Sequence, residues 1–158
     1  MRWDELPAQE CSVARTLGVI GDRWTLVILR ECFSRVRRFE DFRERTGASR
    51  RILTERLGKL VDHDILVRVA YQQRPARYEY RLTRKGLDIY PILVTMLHWG
   101  DKYYGQDSGP PLILRHQPCD HDFAPLMVCS QCKTPVDARE VTPRAGPGRT
   151  VAQRSQRA

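Results

Sequence analysis

Arg50, Arg51, Thr54, Glu55 and Lys59 fall at helical spacing opposite Leu53, Leu57 and Leu60. Arginine placed this way can offer two parallel N–H groups to the acceptor edge of guanine, and Thr or Glu can meet other base edges. Taken by charge alone, the same residues fit a plain solvated helix face better. A second group that could do chemistry is His116, Cys119, His121, Cys129 and Cys132, gathered within seventeen residues. Cys129-Ser130-Gln131-Cys132 is a C-x2-C turn, His116-Gln117-Pro118-Cys119 is an H-x2-C turn, and nine residues separate them. Two such turns can close a tetrahedral zinc site with two ligands each, and a short polar segment with little core needs that staple to fold. Cys119, Cys129 and Cys132 form the firmer part of the set, with His116 and His121 competing for the fourth place. The C-x2-C pair could instead be a thiol–disulfide couple, or the cysteines could be incidental to an unstructured tail.

The arginine face needs a helix, and the flanking sequence supplies its ends. Gly47-Ala48-Ser49 separates a short segment, Phe39–Arg45, from the longer one, Arg50–Leu60. Gly47 suits a left-handed residue closing the first helix, and Ser49 suits the N-cap of the second. After Asp62-His63-Asp64 the pattern becomes that of strands. Ile65–Tyr71 and Arg77–Leu82 are rich in β-branched and aromatic residues, joined by the polar loop Gln72–Ala76 with Arg74 at its tip. A hairpin beside such a helix can lay Arg74 and Arg77 along a phosphate backbone or into a minor groove; alone, it would be an ordinary surface hairpin. Helix, turn, basic helix and basic hairpin in this order are the plan of a winged helix-turn-helix. The predicted fold is therefore mainly α with a small β-hairpin wing.

Upstream, Val13, Leu17 and Ile20 form one apolar stripe, and Leu26, Leu29 and Phe33 form another on a helix that Asp22 can cap. Both are expected to be core helices. From Thr83, a good N-cap, a long helix is predicted to about Tyr104, bent at Pro91, with Leu87, Tyr90, Val94, Leu97 and Trp99 giving a wide apolar surface. On a small domain that surface suits a second copy, although packing on its own domain would also use it.

The chain resembles the winged helix-turn-helix regulators of the HxlR type, relatives of the MarR type. The residues that carry the resemblance are Cys11, Gly21-Asp22-Arg23-Trp24-Thr25 with Ile28-Leu29-Arg30, Arg38-Phe39, Phe42, Leu53-Thr54-Glu55-Arg56-Leu57, Arg77-Tyr78-Glu79-Tyr80-Arg81-Leu82-Thr83, Gly86 and Trp99. They cover about residues 11 to 105. Two departures stand out: Asp64 where such proteins usually have Gly, and Val36-Arg37 in place of a Gly-containing turn. Asp tolerates the left-handed region better than most residues. The resemblance implies a homodimeric, DNA-binding transcriptional regulator and places a sensing cysteine for electrophiles or oxidants at Cys11, with a small-molecule effector as the other route of control. Arg15 lies one turn from Cys11 and could favour its thiolate; a buried packing cysteine is the alternative. Cys32, inside the apolar second helix, reads as packing.

Composition agrees with a polyanionic partner. The chain has 158 residues and a formal net charge of +8. Over residues 35 to 59 nine basic residues face four acidic ones, so the excess lies where the groove reader should be. No segment approaches the ~18 apolar residues of a membrane helix. Met1-Arg2-Trp3-Asp4-Glu5 leads into no apolar run of a signal peptide. A cytoplasmic protein with its five cysteines reduced is expected.

The expected organisation is a DNA-binding and dimerisation domain over 1–105, a linker over 106–115, a zinc-binding segment over 116–138 and a disordered basic tail over 139–158. The expected function is a homodimeric repressor of duplex DNA. Ser49, Arg50, Arg51, Thr54 and Glu55 would lie in the groove, and Arg56, Lys59, Arg74 and Arg77 would hold phosphates. A zinc-stabilised adaptor and a thiol–disulfide enzyme are the other classes considered. No paired carboxylates, nucleophile elbow or phosphate loop supports catalysis.

Overall fold

The second and fourth helices each give the core more buried residues than any other element, and the hairpin follows the fourth after a short turn. A computed structural model describes residues 10–148 and gives the helices α1 (Ser12–Ile20), α2 (Arg23–Phe33), α3 (Phe39–Thr46) and α4 (Arg50–Asp62). The antiparallel strands β1 (Leu66–Gln73) and β2 (Ala76–Leu82) follow, then helices α5 (Arg84–Leu87) and α6 (Tyr90–Tyr104). Beyond these come the two-residue strands β3 (Arg115–His116) and β4 (His121–Asp122) and a 3-10 turn, Ala138–Glu140. The chain divides into two compact units, one ending at Leu97 and the other starting at His98. The division falls inside α6, before the boundary expected near residue 105.

In the first unit Ile28 and Leu29 of α2, Phe42 of α3, Leu53, Leu57 and Leu60 of α4, and Ile65 and Leu66 are all but fully buried. Each such side chain contributes about 1.5–3 kcal/mol of burial free energy. The buried face of α2 runs through Thr25, Ile28, Leu29 and Cys32 rather than through Leu26, Leu29 and Phe33. Thr25 hides one position of that stripe behind a hydroxyl; Leu26 packs at its margin, and Phe33 stacks on Tyr90. The stripe expected to make α1 a core helix is mostly uncovered: Ile20 is buried, but Val13 is 67% and Leu17 42% exposed. Only the last turn of α1 reaches the core.

The turns at the two departures, Asp64 and Val36-Arg37, are helix stops of one kind. After α4, Asp64 takes φ +56°, its N–H bonds to Val61 O, and Ile65 N–H bonds to Leu60 O. After α2, Arg35 takes φ +65°, its N–H bonds to Cys32 O, and Val36 N–H bonds to Glu31 O. Both are Schellman stops, in which the residue usually occupied by glycine is Asp in one and Arg in the other, and the next residue, Ile65 or Val36, plugs the core. The Val36-Arg37 departure therefore lies in a segment that both ends α2 and meets the wing. The Arg37 carbonyl accepts from Tyr80 N–H, and Arg38 bridges Glu79, joining this segment to the wing.

The strands run further than expected, to Gln73 and from Ala76, so the loop shrinks to Arg74-Pro75. A register shift between Ala70 and Gln72 leaves Tyr71 as a bulge. Thr83 caps as expected, its Oγ1 accepting from Gly86 N–H. The helix it starts ends after one turn, however, and a new one begins at Tyr90, replacing the single bent helix. Pro91 has no N–H to extend a preceding helix but fits the first turn of α6, so the chain breaks before it instead of bending through it. Gly86 sits so tightly against the chain that a Cβ there would lie 2.2 Å from the Ile65 carbonyl oxygen.

In the second unit none of residues 105–148 is buried. Arg139 and Glu140, expected in a disordered tail, lie in the 3-10 turn, which Asp137 caps by accepting from Arg139 N–H at 2.8 Å. The remainder of that tail to Gly148 has no helix or strand. Met1–Glu5 of the leader reading, and Arg149, Arg154 and Arg157 of the basic tail, lie outside the described residues.

Candidate nucleic-acid interface

The start of α4 is held firmly and aimed outward. Gly47, at φ +69°, ends α3; Ala48 is buried, anchoring the turn; and Ser49 Oγ accepts from Ile52 N–H at 3.3 Å. Thr46 adds a second tie, its hydroxyl donating to Phe42 O and accepting from Ala48 N–H. From this fixed start Arg50, Arg51, Thr54 and Glu55 all face solvent, while Leu53 and Leu57 are fully buried. Arg50 pairs with Glu40 at 2.8 Å and lies over the Phe39 ring. Arg51 has no intramolecular partner among the described residues.

Two cations expected at phosphates make internal contacts here. Arg56, only 23% exposed, lies 3.0 Å from Asp22 Oδ1, an ion-pair approach rather than an aligned hydrogen bond, and pairs with Glu55. Lys59 Nζ donates to the Gly18 carbonyl at 2.8 Å, tying α4 to the end of α1. Asp22 meanwhile caps α2, accepting from Trp24 and Thr25 N–H. One carboxylate thus contacts both the start of α2 and Arg56 of α4.

On the wing, Arg74 and Arg77 are exposed at the tip. Two further arginines belong to the same surface: Arg68 lies 3.6 Å from the Tyr78 ring centroid and Arg38 4.7 Å from that of Tyr71. Both guanidinium groups are within cation–π range of their rings. Strand alternation in Arg68-x-Ala70 against Tyr78-x-Tyr80 was a legible signal for the first; nothing local linked Arg38 to Tyr71.

On α2, Glu31 is buried and receives Arg45 Nε of α3 and Arg30 Nη2, each at 2.6 Å. Burial is the largest single influence and raises its pKa, but the hydrogen bonds and charges of Arg45 and Arg30 together outweigh it and leave it below the ordinary value. Burial, with the Glu31 charge behind it, pushes the Cys32 thiol up to about 12. Cys32 is an inert packing residue, as its place in an apolar helix suggested. Cys11 is exposed at the N-cap of α1 rather than buried, and Arg15 is turned to Ser12 Oγ.

The cysteine-rich segment forms two hairpin turns. His116 Nδ1 lies 3.2 Å from Cys119 Sγ, while His121 Nδ1 is turned onto the Cys119 carbonyl. Cys132 Sγ meets Thr134 Oγ1 at 2.9 Å; the Thr134 contacts first, then one from Cys129, pull its thiol down to about 7. Among the described residues no three His, Cys, Asp or Glu side chains are gathered closely enough to hold an ion. No helix of the described residues is long and apolar enough to cross a membrane.

This geometry, a capped outward helix beside a basic wing, has a family. The HxlR-like helix-turn-helix family matches residues 19–108. The chain belongs to it. Membership makes it a DNA-binding transcriptional regulator and not an enzyme. Rv3095 of Mycobacterium tuberculosis, named an uncharacterized HTH-type transcriptional regulator, is 44% identical over 137 residues, covering 87% of each chain. The crystal structure of PA1607, a candidate transcription factor, matches with a TM-score of 0.80 at 31% identity, over 89% of this chain and 98% of that one. The redox regulator HypR in its oxidized form matches with a TM-score of 0.54 at 34% identity, over 58% of this chain and 96% of that one. The first two matches cover more than the family region, so the likeness runs into the cysteine-rich segment.

Proposed function

We propose that this HxlR-like regulator is a homodimeric repressor that places α4 in the major groove of an inverted-repeat operator. Arg50, Arg51, Thr54 and Glu55 meet base edges and Ser49 sets the helix start, while Arg74 and Arg77 on the wing hold phosphates. The observation that carries the assignment is Arg51, exposed on a capped helix and without a partner among the described residues. A side chain already engaged must exchange one contact for another; Arg51 has none to give up. Arg56 and Lys59 contribute charge and hold α4 in position. Apolar exposure supports the dimer. Val13 and Leu17 on α1 and Ile92 and Met96 on α6 are each more than 40% exposed, as suits burial against a second copy. Two-fold symmetry then sets the recognition helices about 34 Å apart, one turn of DNA. Repression follows by occupying a promoter, in the cytoplasm.

The test is a pair of variants on a duplex carrying the preferred site. Arg51→Ala is expected to cost ~1–3 kcal/mol there and to relax specificity, whereas Arg74→Ala weakens all sequences alike and flattens the salt slope by about one. Equal losses on cognate and random DNA in both variants would sink the division of labour. For control, we place the thiol signal at Cys11, which is exposed on this chain; the similar HypR is named a redox regulator. Cys11→Ser should then abolish any effect of a thiol oxidant on operator affinity. A response that survives it points to a small-molecule effector.

A further inference from the structure

The two turns of the cysteine-rich segment share a hydrogen-bond return and a left-handed residue at matching positions. In the first, His116 pairs with His121 across the hairpin, Asp120 N–H returns to the His116 carbonyl at 2.9 Å, and Asp120 has φ +54°. In the second, Cys129 N–H bonds to Thr134 O, Lys133 N–H returns to the Cys129 carbonyl at 3.0 Å, and Lys133 has φ +62°. Each is a four-residue turn with a metal-binding side chain at its first position, another three residues on, and a left-handed residue directly after. Asp and Lys occupy a conformation that costs non-glycine residues energy, so two independent sequences hold the same strained turn. Matching the turns pairs His116 with Cys129 and Cys119 with Cys132. His121 falls opposite Thr134, outside the ligand positions.

The spacing within the first turn suits a metal. Tetrahedral zinc with Zn–N about 2.0–2.1 Å and Zn–S about 2.3 Å sets its N and S ligands about 3.5 Å apart. His116 Nδ1 and Cys119 Sγ stand 3.2 Å apart, with Phe123 edge-on against the imidazole. A second observation points the same way: none of residues 105–148 is buried, yet the segment keeps two hydrogen-bonded hairpins. Leu112, Ile113, Leu126 and Met127 are each 48% exposed or more, so apolar burial supplies little stability.

We infer that the segment is a structural zinc site formed by His116 through Nδ1 and the thiolates of Cys119, Cys129 and Cys132. The two turns are preformed half-sites, and the ion joins them. On binding, Zn2+ takes the lone pair of neutral His116 and displaces three thiol protons to solvent, leaving a closed four-ligand site with no open position for catalysis.

The test uses the full chain, purified without chelator from zinc-supplied cells, with metal content measured by mass spectrometry. The same protein loaded with cobalt gives the visible absorption of a tetrahedral site with thiolate charge transfer. One zinc per chain is expected. Cys129→Ser and His116→Ala should each weaken zinc by more than about 100-fold, the upper end of what removing a mere hydrogen-bond partner of a ligand costs. His121→Ala should stay within about twofold of the parent. His116→Cys separates ligation from misfolding: it should restore binding, with a spectrum shifted to four thiolates. Metal lost in His121→Ala but kept in His116→Ala would overturn the ligand set. A metal-free chain with a Cys129–Cys132 disulfide would overturn the site, as would cobalt absorption unaffected by Cys129→Ser.

Discussion

Glu31 is a buried carboxylate that ties two basic side chains together. It is neutralised by Arg30 and Arg45. Its folded pKa is depressed, so it contributes stability above the ordinary value of 4.5 and loses that contribution as pH falls through the folded value. Unfolding by urea should therefore be nearly flat in this contribution above pH 5 and weaken in the acid range below it. Arg45→Ala should cost about 1–2 kcal/mol at pH 7, since the Arg45 side chain is itself 56% exposed, and should move the acid loss to higher pH. An unchanged acid profile in Arg45→Ala would mean that the pair does not hold Glu31 ionised. The roles of Ser49, Asp22 and Thr83 as caps were legible because each is a short oxygen-bearing side chain one position before an apolar periodic run. The inward contacts of Arg56 and Lys59 were not, because their partners, Asp22 and the Gly18 carbonyl, are distant in sequence. Charge patterns do not state direction.

At the scale of elements, helices with a clean apolar stripe were read within a residue or so, α4 most clearly, since Leu53, Leu57 and Leu60 leave no second way to bury it. The same logic misjudged α1, where a regular stripe exists but only Ile20 finds cover. Periodicity reports that a face is apolar, not what lies against it. The break between α5 and α6 was half visible in Pro91; the unseen part was Gly86, whose lack of a side chain lets α5 pack onto the Ile65 carbonyl. Gly86→Ala should lower stability by about 1–3 kcal/mol, because the colliding atom is backbone and cannot swing aside. Urea midpoints with an unchanged m-value would measure this. A loss below 0.5 kcal/mol, on the order of the usual surface effect, would show that α5 shifts freely.

For the whole molecule, family membership fixes the class of function, and the proposed dimer and operator are argued from the exposed residues of α1, α6 and α4. Met96, 47% exposed on α6, is a direct probe: Met96→Glu should shift the chain from dimer to monomer in sedimentation and weaken operator binding well beyond its effect on random DNA. A dimer that survives it would move the interface elsewhere. The most direct test of the central claim is selection of bound duplexes from a randomised library, with the full protein at physiological salt and excess competitor DNA. A two-fold reader that uses α4 should enrich an inverted repeat with half-sites about ten base pairs apart, centre to centre. No enrichment, with binding that merely fades as salt rises, would contradict it, because phosphate contacts alone behave in that way.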